Sequence, residues 1–412
     1  MKIYADTKFF IIAPSNYYTG GPLSLHQLGS ALKRLGYQVN MVYFGLANDS
    51  PVHPWFKKFH LPVVGGIEDK PENIIISPET IPFPVMMMKK AQLVIWWMSV
   101  DNYLIYLVGD LNYIIESRSF LKRWTTPLHA LDFTKVEHLH QSEYARLFLK
   151  VNEVPDDKIL HELRGYLAQS FYDNESKIDI DKKENIVVFN PKKGFEFTKQ
   201  IIDSSAGKVT FVPIQNMTPE QVQDLLARAK VYMDFGNHPG RERIPREATM
   251  SHCVVITDRR GSAENPIDIP IDDDFKFEDK PENIPSIIEK IQYVFDNFKA
   301  EHDRQSSYRN IILHERDYFF ECVDEVFANP DADKAFKKVR SAIAGNLQEI
   351  EKMCDHFIKD PAIQLLYAVN NQLAGKTIKY SGVLDLEVIS GADAQFLLHE
   401  KRLDQVIMKN PK

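Results

Sequence analysis

The chain has 412 residues and a formal net charge of −7. This length fits two or three domains, and 44 % hydrophobic with 26 % charged residues is ordinary globular usage that argues against a disordered chain. The acidic balance argues against a nucleic-acid binder. The three cysteines are too few for a disulfide framework and show no zinc spacing, which indicates a reducing compartment.

No stretch of the signal-peptide type begins the chain, and its most apolar long window, residues 91–108, carries Asp101 and Asn102 near the centre. We therefore expect a cytoplasmic protein. Residues 1–170 carry a net charge of +1 and the remainder −8. A near-neutral first half could touch an anionic surface, so a peripheral position at the inner face of a membrane stays open.

Strand and helix signals alternate in the first half of the chain. Residues 8–13 predict a buried strand, the loop with Gly20 and Gly21 follows, and leucines at helical spacing predict a helix ending at Gly36. A strand over 39–44 completes a β-α-β unit, which is right-handed by default. Further strands are predicted at 74–77, 93–98 and 136–140.

A second alternating series follows the polar stretch 168–185. It predicts strands at 186–189, 209–214, 231–235 and 254–257, and helices at 195–203, 219–229, 245–251 and 285–299. Two such halves imply an α/β protein with two Rossmann-like domains facing across a cleft. We assign residues 1–170 to the first domain, 171–185 to a linker and 186–329 to the second domain.

Capping residues mark two helix starts. Ser142 precedes a predicted helix over 143–150, and Thr218 with Gln221 forms a predicted capping box. Beyond the second domain, apolar residues from Phe336 to Phe357 recur at spacings of three and four, which predicts a helix with one apolar stripe. This mainly helical extension, residues 330–412, either docks on the domains, which we favour, or forms a homo-oligomer.

The most informative motif is NHPGRERIPREA, residues 237–248, which begins where a predicted strand ends. Ligands of open α/β sheets bind beyond the carboxyl ends of strands. The guanidinium groups of Arg241, Arg243 and Arg246 suit phosphate oxygens, and a carboxylate at a helix start suits ribose hydroxyls. A solvated loop with internal salt bridges is the alternative interpretation.

Two shorter motifs also fit a phosphate ligand. Lys192 and Lys193 stand between a predicted strand and a helix N-terminus, where a diphosphate could bind, or they form an exposed basic turn. Gly20 and Gly21 would let a ligand approach the backbone closely, although turn chemistry alone could explain them.

The sequence resembles GT-B glycosyltransferases of the large retaining group that uses nucleotide sugars, over about residues 8–325. The matching pieces are the Gly20-Gly21 loop with its helix ending LGYQV, the Lys192-Lys193-Gly194 turn, and PREATMSHCVVITDRRGSAE. The last piece is similar to the family's EAMA-x-G-x-PVI…GG…E segment. The resemblance implies that the first domain holds the acceptor and the second holds the nucleotide sugar.

The resemblance also implies residue roles on the donor. Glu247 would contact the ribose, Lys193 would neutralise the diphosphate, and Gly261 with Ser262 would form the glycine turn near the phosphates. Gly21 would belong to the loop that closes over the donor.

One position departs from the family. Its E-x7-E motif places the second glutamate at Glu247, but the first would fall at Pro239 and is absent. Glu242, three residues on, could substitute. Retention and inversion of configuration therefore both stay open.

The implied reaction needs little covalent chemistry from the protein. Lys193, Arg243 and helix N-termini could stabilise the leaving nucleoside diphosphate, so neither a metal nor another cofactor is expected. Inversion would need a general base, for which Glu79 and Asp101 at strand ends are candidates.

Three other features have less specific interpretations. Residues 272–274, all aspartate, fit a surface loop better than a metal site, and His138 with His140 lacks the carboxylate of a good metal site. The tryptophans at 96 and 97 are core residues or stack on a sugar, and we expect at least one in the core.

The resemblance implies transfer of a sugar from a nucleotide-sugar donor to a saccharide or lipid-linked acceptor, in bacterial cell-surface polysaccharide or lipopolysaccharide assembly. Two alternatives stay open: a nucleotide-sugar epimerase or hydrolase on the same fold, and a non-catalytic protein that binds a partner.

Overall fold

Two parallel β-sheets with helices packed against them make up the protein, as a computed structural model shows for residues 1–4, 6–45, 50–81, 88–103, 136–152 and 154–328. The predicted α/β class with two Rossmann-like units is confirmed. The predicted helical extension, residues 330–412, lies outside the described residues, so its docking or oligomeric role stays a prediction. Within the described ranges, no helix is long and apolar enough to span a bilayer.

The first sheet has six strands in the order β2-β1-β3-β4-β5-β6, all parallel. They are β1 (Lys8–Pro14), β2 (Gln38–Phe44), β3 (Ile74–Pro78), β4 (Gln92–Trp97), β5 (Glu137–His140) and β6 (Ile159–Glu162). The second sheet has the order β10-β9-β7-β8 and is also parallel. Its strands are β7 (Glu184–Phe189), β8 (Thr210–Pro213), β9 (Ala229–Asp234) and β10 (Val254–Thr257).

The helices that pack around the sheets are, in chain order, α1 (Gly20–Arg34), α2 (Glu143–Val151), α3 (Gln169–Glu175), α4 (Phe195–Ser204), α5 (Pro219–Arg228), α6 (Arg243–Met250), α7 (Ile284–Asp296), α8 (Phe298–Arg304), α9 (Ser306–Leu313) and α10 (Glu315–Ala328). Both predicted caps are confirmed. The Ser142 hydroxyl accepts the Ala145 N–H at 3.1 Å, and Thr218 and Gln221 form the reciprocal capping box.

Some predicted element bounds were wrong. Helix α1 already begins at Gly20, and α6 begins at Arg243, so these residues occupy the first helical turn. The single helix predicted over 285–299 is interrupted at Asn297. The polar stretch 168–185 contains helix α3, whose Phe171 is buried in the core of the second sheet.

Helix α10 returns from the second sheet to the first. Its Phe319, Cys322 and Phe327 are fully buried and join the same apolar core as Phe9 of β1 and Leu28 of α1. The hydroxyl of Tyr37 donates a hydrogen bond to the Phe327 carbonyl at 2.6 Å. The end of the described chain is therefore part of the first core, although the helices before it pack on the second.

A buried ion triad holds the start of this returning helix. Glu315, the first residue of α10, pairs through one carboxylate oxygen with Arg241 and through the other with Arg246 Nη1 at 2.7 Å. All three side chains are at most 5 % exposed. Arg246 Nη1 also donates to the Gly165 carbonyl at 2.8 Å, which ties the triad to the segment after β6.

A second carboxylate joins the two units. Asp268, beyond β10, accepts the backbone N–H groups of Glu143 and Tyr144 at 2.8 and 2.9 Å. It thereby satisfies the free N–H groups at the start of α2 in the first unit. Burial outweighs these hydrogen bonds and raises the pKa of Asp268 to about 7.

We predict that Glu315→Ala lowers the free energy of unfolding by about 3–5 kcal/mol, because it leaves two buried guanidinium groups without their counter-charge. Urea denaturation measures this. Glu321→Ala, at an exposed position of the same helix, is the control and should change stability by less than about 0.5 kcal/mol. A loss as small as the control's would contradict the role of the triad.

We predict that Asp268→Asn removes a pH dependence of stability. The folded pKa of about 7 lies above the ordinary value, so the protonated form favours folding. The stability that it gives is complete below about pH 4 and is lost as pH rises towards 7. The stability of the wild type relative to the variant should therefore fall between about pH 4 and pH 7 in urea denaturation. A difference that stays constant with pH would show that Asp268 does not titrate in this range.

Candidate functional site

The predicted donor residues of the second unit lie on loops at the carboxyl ends of β7, β9 and β10 and in helix α6, which follows β9. The loop after β7 is pressed against the loop after β9 at two glycines. A Cβ at Gly194, whose φ is +53°, would overlap the Phe235 carbonyl, and a Cβ at Gly236 would lie 2.6 Å from Lys193 Cβ. The close approach brings Lys193 beside the NHPGRERIPREA segment.

Lys193 forms an ion pair across this junction. Its Nζ lies 2.5 Å from Glu242 Oε2 and donates to the Asn237 carbonyl at 3.2 Å. Glu242, the proposed substitute for the absent first glutamate, is therefore a direct neighbour of the proposed diphosphate ligand Lys193. Lys192 is exposed, and its backbone N–H donates to the Asn190 side chain.

The first turn of α6 carries a second ion pair. Arg243 Nε lies 3.1 Å from Glu247 Oε1, one helical turn away. Burial raises the pKa of Glu247, and the positive charges of Arg243 and Arg246 oppose this effect. The Arg243 guanidinium also lies over the ring of Tyr18, 5.7 Å from its centroid. Because Tyr18 precedes α1 in the first unit, this contact spans the cleft.

The three arginines of the motif have different environments. Arg243 is one-third exposed, whereas Arg241 and Arg246 are buried and both form ion pairs with Glu315. Arg243 therefore keeps an exposed side, whereas Arg246 directs Nη1 to Glu315 and only its Nε contacts the cluster, where it donates to the Glu242 carbonyl at 3.1 Å. The guanidinium of Arg246 acts in the ion triad.

The glycine turn after β10, which contains Gly261 and Ser262, lies against the loop that follows β9. Gly261 has φ +54°, and a Cβ there would overlap the His238 carbonyl. Ser262 donates its backbone N–H to the same carbonyl at 2.9 Å and its hydroxyl to the Gly240 carbonyl at 2.6 Å. The Ser262 hydroxyl is thus committed to holding two loops together.

Two fully buried residues lie below this turn and were missed by the sequence analysis. His238 Nε2 is 3.5 Å from Asp258 Oδ1. Burial lowers the pKa of His238 and raises the pKa of Asp258 well above its usual value. The position of Asp258, directly after the β10 strand, was the available signal. These residues support the turn from beneath.

The opposite wall of the cleft belongs to the first sheet. Ser99, just after β4, pairs with Gly240 in an antiparallel bridge, and the Val100 N–H donates to the Pro239 carbonyl at 2.7 Å. A Cβ at Gly21 would lie 3.6 Å from Met98 Cε, whereas a Cβ at Gly20 would meet nothing within 4 Å. The two predicted glycines therefore stand at this wall with room around them.

The candidate bases differ in access. Glu79 is 2 % exposed and accepts the Met98 N–H at 2.9 Å, and burial raises its pKa to about 8. It holds the backbone of the cleft wall from behind. Asp101 is half-buried and accepts a hydrogen bond from the Tyr144 hydroxyl at 2.9 Å. Because Tyr144 also lies beside Gly261, Asp101 is the candidate that Tyr144 connects to the glycine turn.

The remaining predicted features lie away from this cluster. Trp96 and Trp97 are both fully buried, so the sugar-stacking alternative was wrong for both. His138 and His140 are also fully buried, and His138 Nδ1 accepts the Trp97 indole N–H at 3.0 Å. The aspartates at 272 and 274 pair with Arg304. Among the residues that the structure describes, no three or more His, Cys, Asp or Glu side chains form a group that could hold a metal ion.

Three solved structures have a similar fold. A glycosyltransferase from Rickettsia africae has a TM-score of 0.49 and 12 % identity, covering 78 % of this chain and 99 % of its own. HepE from Anabaena, in complex with UDP-glucose, has a TM-score of 0.48 and 12 % identity, and the match covers 81 % of this chain and 99 % of HepE. Sucrose-phosphate synthase from Thermosynechococcus elongatus has a TM-score of 0.47 and 12 % identity, and the match covers 82 % of this chain and 99 % of the synthase. No family model matches the sequence, and no curated protein does.

We predict that Gly240→Ala destabilises the protein by about 1–3 kcal/mol, the usual cost of overpacking. The new Cβ would overlap the Met98 carbonyl and push apart the bridge between Ser99 and Gly240. Thermal or urea unfolding measures the loss. Gly66→Ala is the control, because a Cβ there meets nothing within 4 Å. Equal stability of the two variants would mean that the two walls of the cleft do not touch at Gly240.

Proposed function

We propose that the protein is a glycosyltransferase that moves a sugar from a nucleotide-sugar donor to a saccharide or lipid-linked acceptor. One observation carries the proposal: Lys193, Arg243 and Glu247 converge at the carboxyl edge of the second sheet, beside a glycine turn. Two cations and a helix-borne carboxylate match the diphosphate and the ribose hydroxyls of such a donor.

The unit built on the second sheet would hold the donor. Lys193 and Arg243 already have carboxylate partners, Glu242 and Glu247. A donor would reorganise both pairs, because its diphosphate attracts the cations while its ribose hydroxyls donate to Glu247. In this scheme Glu242 keeps Lys193 in position and lies where the donor sugar would begin.

The reaction breaks the bond between the anomeric carbon and the diphosphate oxygen, which leaves with the electron pair. Lys193 and Arg243 stabilise the charge that develops on this oxygen, so the scheme requires no metal. The acceptor hydroxyl forms the new bond to the anomeric carbon and releases its proton. If the reaction inverts configuration, Asp101 is the group that we expect to take this proton.

The first unit, residues 1–170, would hold the acceptor. The contact between Tyr18 and Arg243 joins its loop to the donor side, and closure there would align the acceptor and exclude water. We place the activity in the cytoplasm, in cell-surface polysaccharide or lipopolysaccharide assembly, with a peripheral contact to the membrane.

We predict that one nucleotide among UDP, GDP, dTDP, CDP and CMP stabilises the wild type and fails on Glu247→Ala. A ligand at a hundred times its dissociation constant stabilises a protein by about 2.7 kcal/mol, which a thermal-shift assay detects. The readout is the shift caused by the nucleotide, so a lower melting temperature of the variant alone does not count.

Glu220→Ala is the matched control, since Glu220 is an exposed glutamate in the first turn of another helix of the same unit. It should keep the full nucleotide shift. If no nucleotide stabilised the wild type, the donor site would be refuted. If Glu247→Ala kept the shift, the ribose role of Glu247 would be refuted.

A further inference from the structure

Exposed aromatic side chains gather at the cleft end of the first sheet. Tyr17 is 58 % exposed, Phe44 49 % and Trp55 43 %. Backbone contacts join the segments that carry them: Ser15 N–H donates to the Phe44 carbonyl at 2.9 Å and Asn16 N–H to the Pro51 carbonyl at 2.7 Å. With the adjacent Lys57 and Lys58, we name Tyr17, Phe44 and Trp55 the aromatic edge.

A short 3₁₀ helix, Pro54–Phe59, presents part of this edge in a fixed orientation. Its Phe56 is buried and stacks on His26 with 4.0 Å between ring centroids. Trp55, Lys57 and Lys58 are exposed around this anchor. The protein therefore holds an indole and two ammonium groups outward on a segment that is anchored from below.

The charge around the aromatic edge is one-sided. Two exposed lysines, Lys57 and Lys58, lie on the 3₁₀ helix beside Trp55. Within the described ranges, no carboxylate lies within ion-pair distance of Lys57 or Lys58, and Lys58 Nζ lies over the Phe59 ring at 5.5 Å from its centroid. The surface is thus both apolar and positive, in a chain whose net charge is −7.

We propose that the aromatic edge binds an anionic lipid bilayer. Indole and phenol rings settle at the level of lipid headgroups, where one end of the ring is apolar and the other is wet. Lysines beside them are attracted to anionic headgroups. Neither group alone gives this preference, since isolated exposed apolar residues are normal on soluble proteins.

The aromatic edge also adjoins the cleft. The Tyr18 ring lies 5.6 Å from the Trp55 ring and 5.7 Å from the Arg243 guanidinium. A bilayer at this edge would present its headgroups to the cleft mouth. This part of the inference rests on the proposed function: it makes the acceptor a lipid-linked one that enters the cleft from the membrane.

Co-sedimentation of the full chain with vesicles tests the proposal. We expect binding to vesicles of equal parts phosphatidylglycerol and phosphatidylcholine, and little binding to phosphatidylcholine alone. Each lysine near an anionic surface contributes about fivefold in affinity, so Lys57→Ala with Lys58→Ala should weaken binding about 25-fold. Trp55→Ala should weaken it as well, at unchanged circular dichroism.

Matched controls are available in the same chain. Lys89→Ala with Lys90→Ala removes another exposed lysine pair of the first unit, and Tyr293→Ala removes an exposed ring of the second. Both should leave vesicle binding unchanged. Equal losses in both lysine pairs would reduce the effect to overall charge and overturn the proposal.

Two further outcomes would also overturn it. One is the absence of any preference for phosphatidylglycerol vesicles. The other is binding to soluble dextran sulfate, but not to vesicles, that depends on Lys57 and Lys58, which would assign the edge to a soluble polyanion. Because sedimentation needs no donor, a nucleotide shift without vesicle binding would leave the glycosyltransferase proposal standing while this inference falls.

Discussion

The carboxylate of Glu315 is the constraint on which the cleft depends. It is buried between Arg241 and Arg246, at the point where helix α10 leaves the second unit for the core of the first. Burying three charges is costly, and it is tolerated only because both carboxylate oxygens find a partner. The triad turns two arginines of the NHPGRERIPREA segment inward. Arg243 then remains as the arginine that meets the cleft.

Close backbone contacts then fix the loops relative to one another. Gly194 meets the Phe235 carbonyl, Gly240 meets that of Met98, and Gly261 meets that of His238. Each contact requires the absence of a side chain, so the three glycines determine how near the donor loops and the cleft wall can come. These contacts thereby hold the charged side chains of the donor loops within ion-pair distance of one another before any ligand binds.

The first unit contributes an aromatic and positive surface to the same cleft. Tyr18 lies between the Trp55 ring and the Arg243 guanidinium, so the donor residues and the proposed membrane surface share a neighbour. This continuity suits an enzyme whose acceptor hydroxyl is delivered from a bilayer while its nucleotide sugar comes from solution.

The sequence by itself determined most of the elements, their order and two of the caps, because strand alternation, helix periodicity and capping are local signals. Strand β6 and helices α3, α9 and α10 were not predicted. It therefore located the loops at the strand ends, and with them Lys193, Arg243 and Glu247. Only the tertiary structure decided the partners. Glu315 is 74 residues from Arg241 and 69 from Arg246. No local sequence pattern predicts ion pairs over such separations. Likewise, the burial of Glu79 and Trp97 depends on packing between segments that are distant in the sequence. The periodicity of a single strand does not predict this packing.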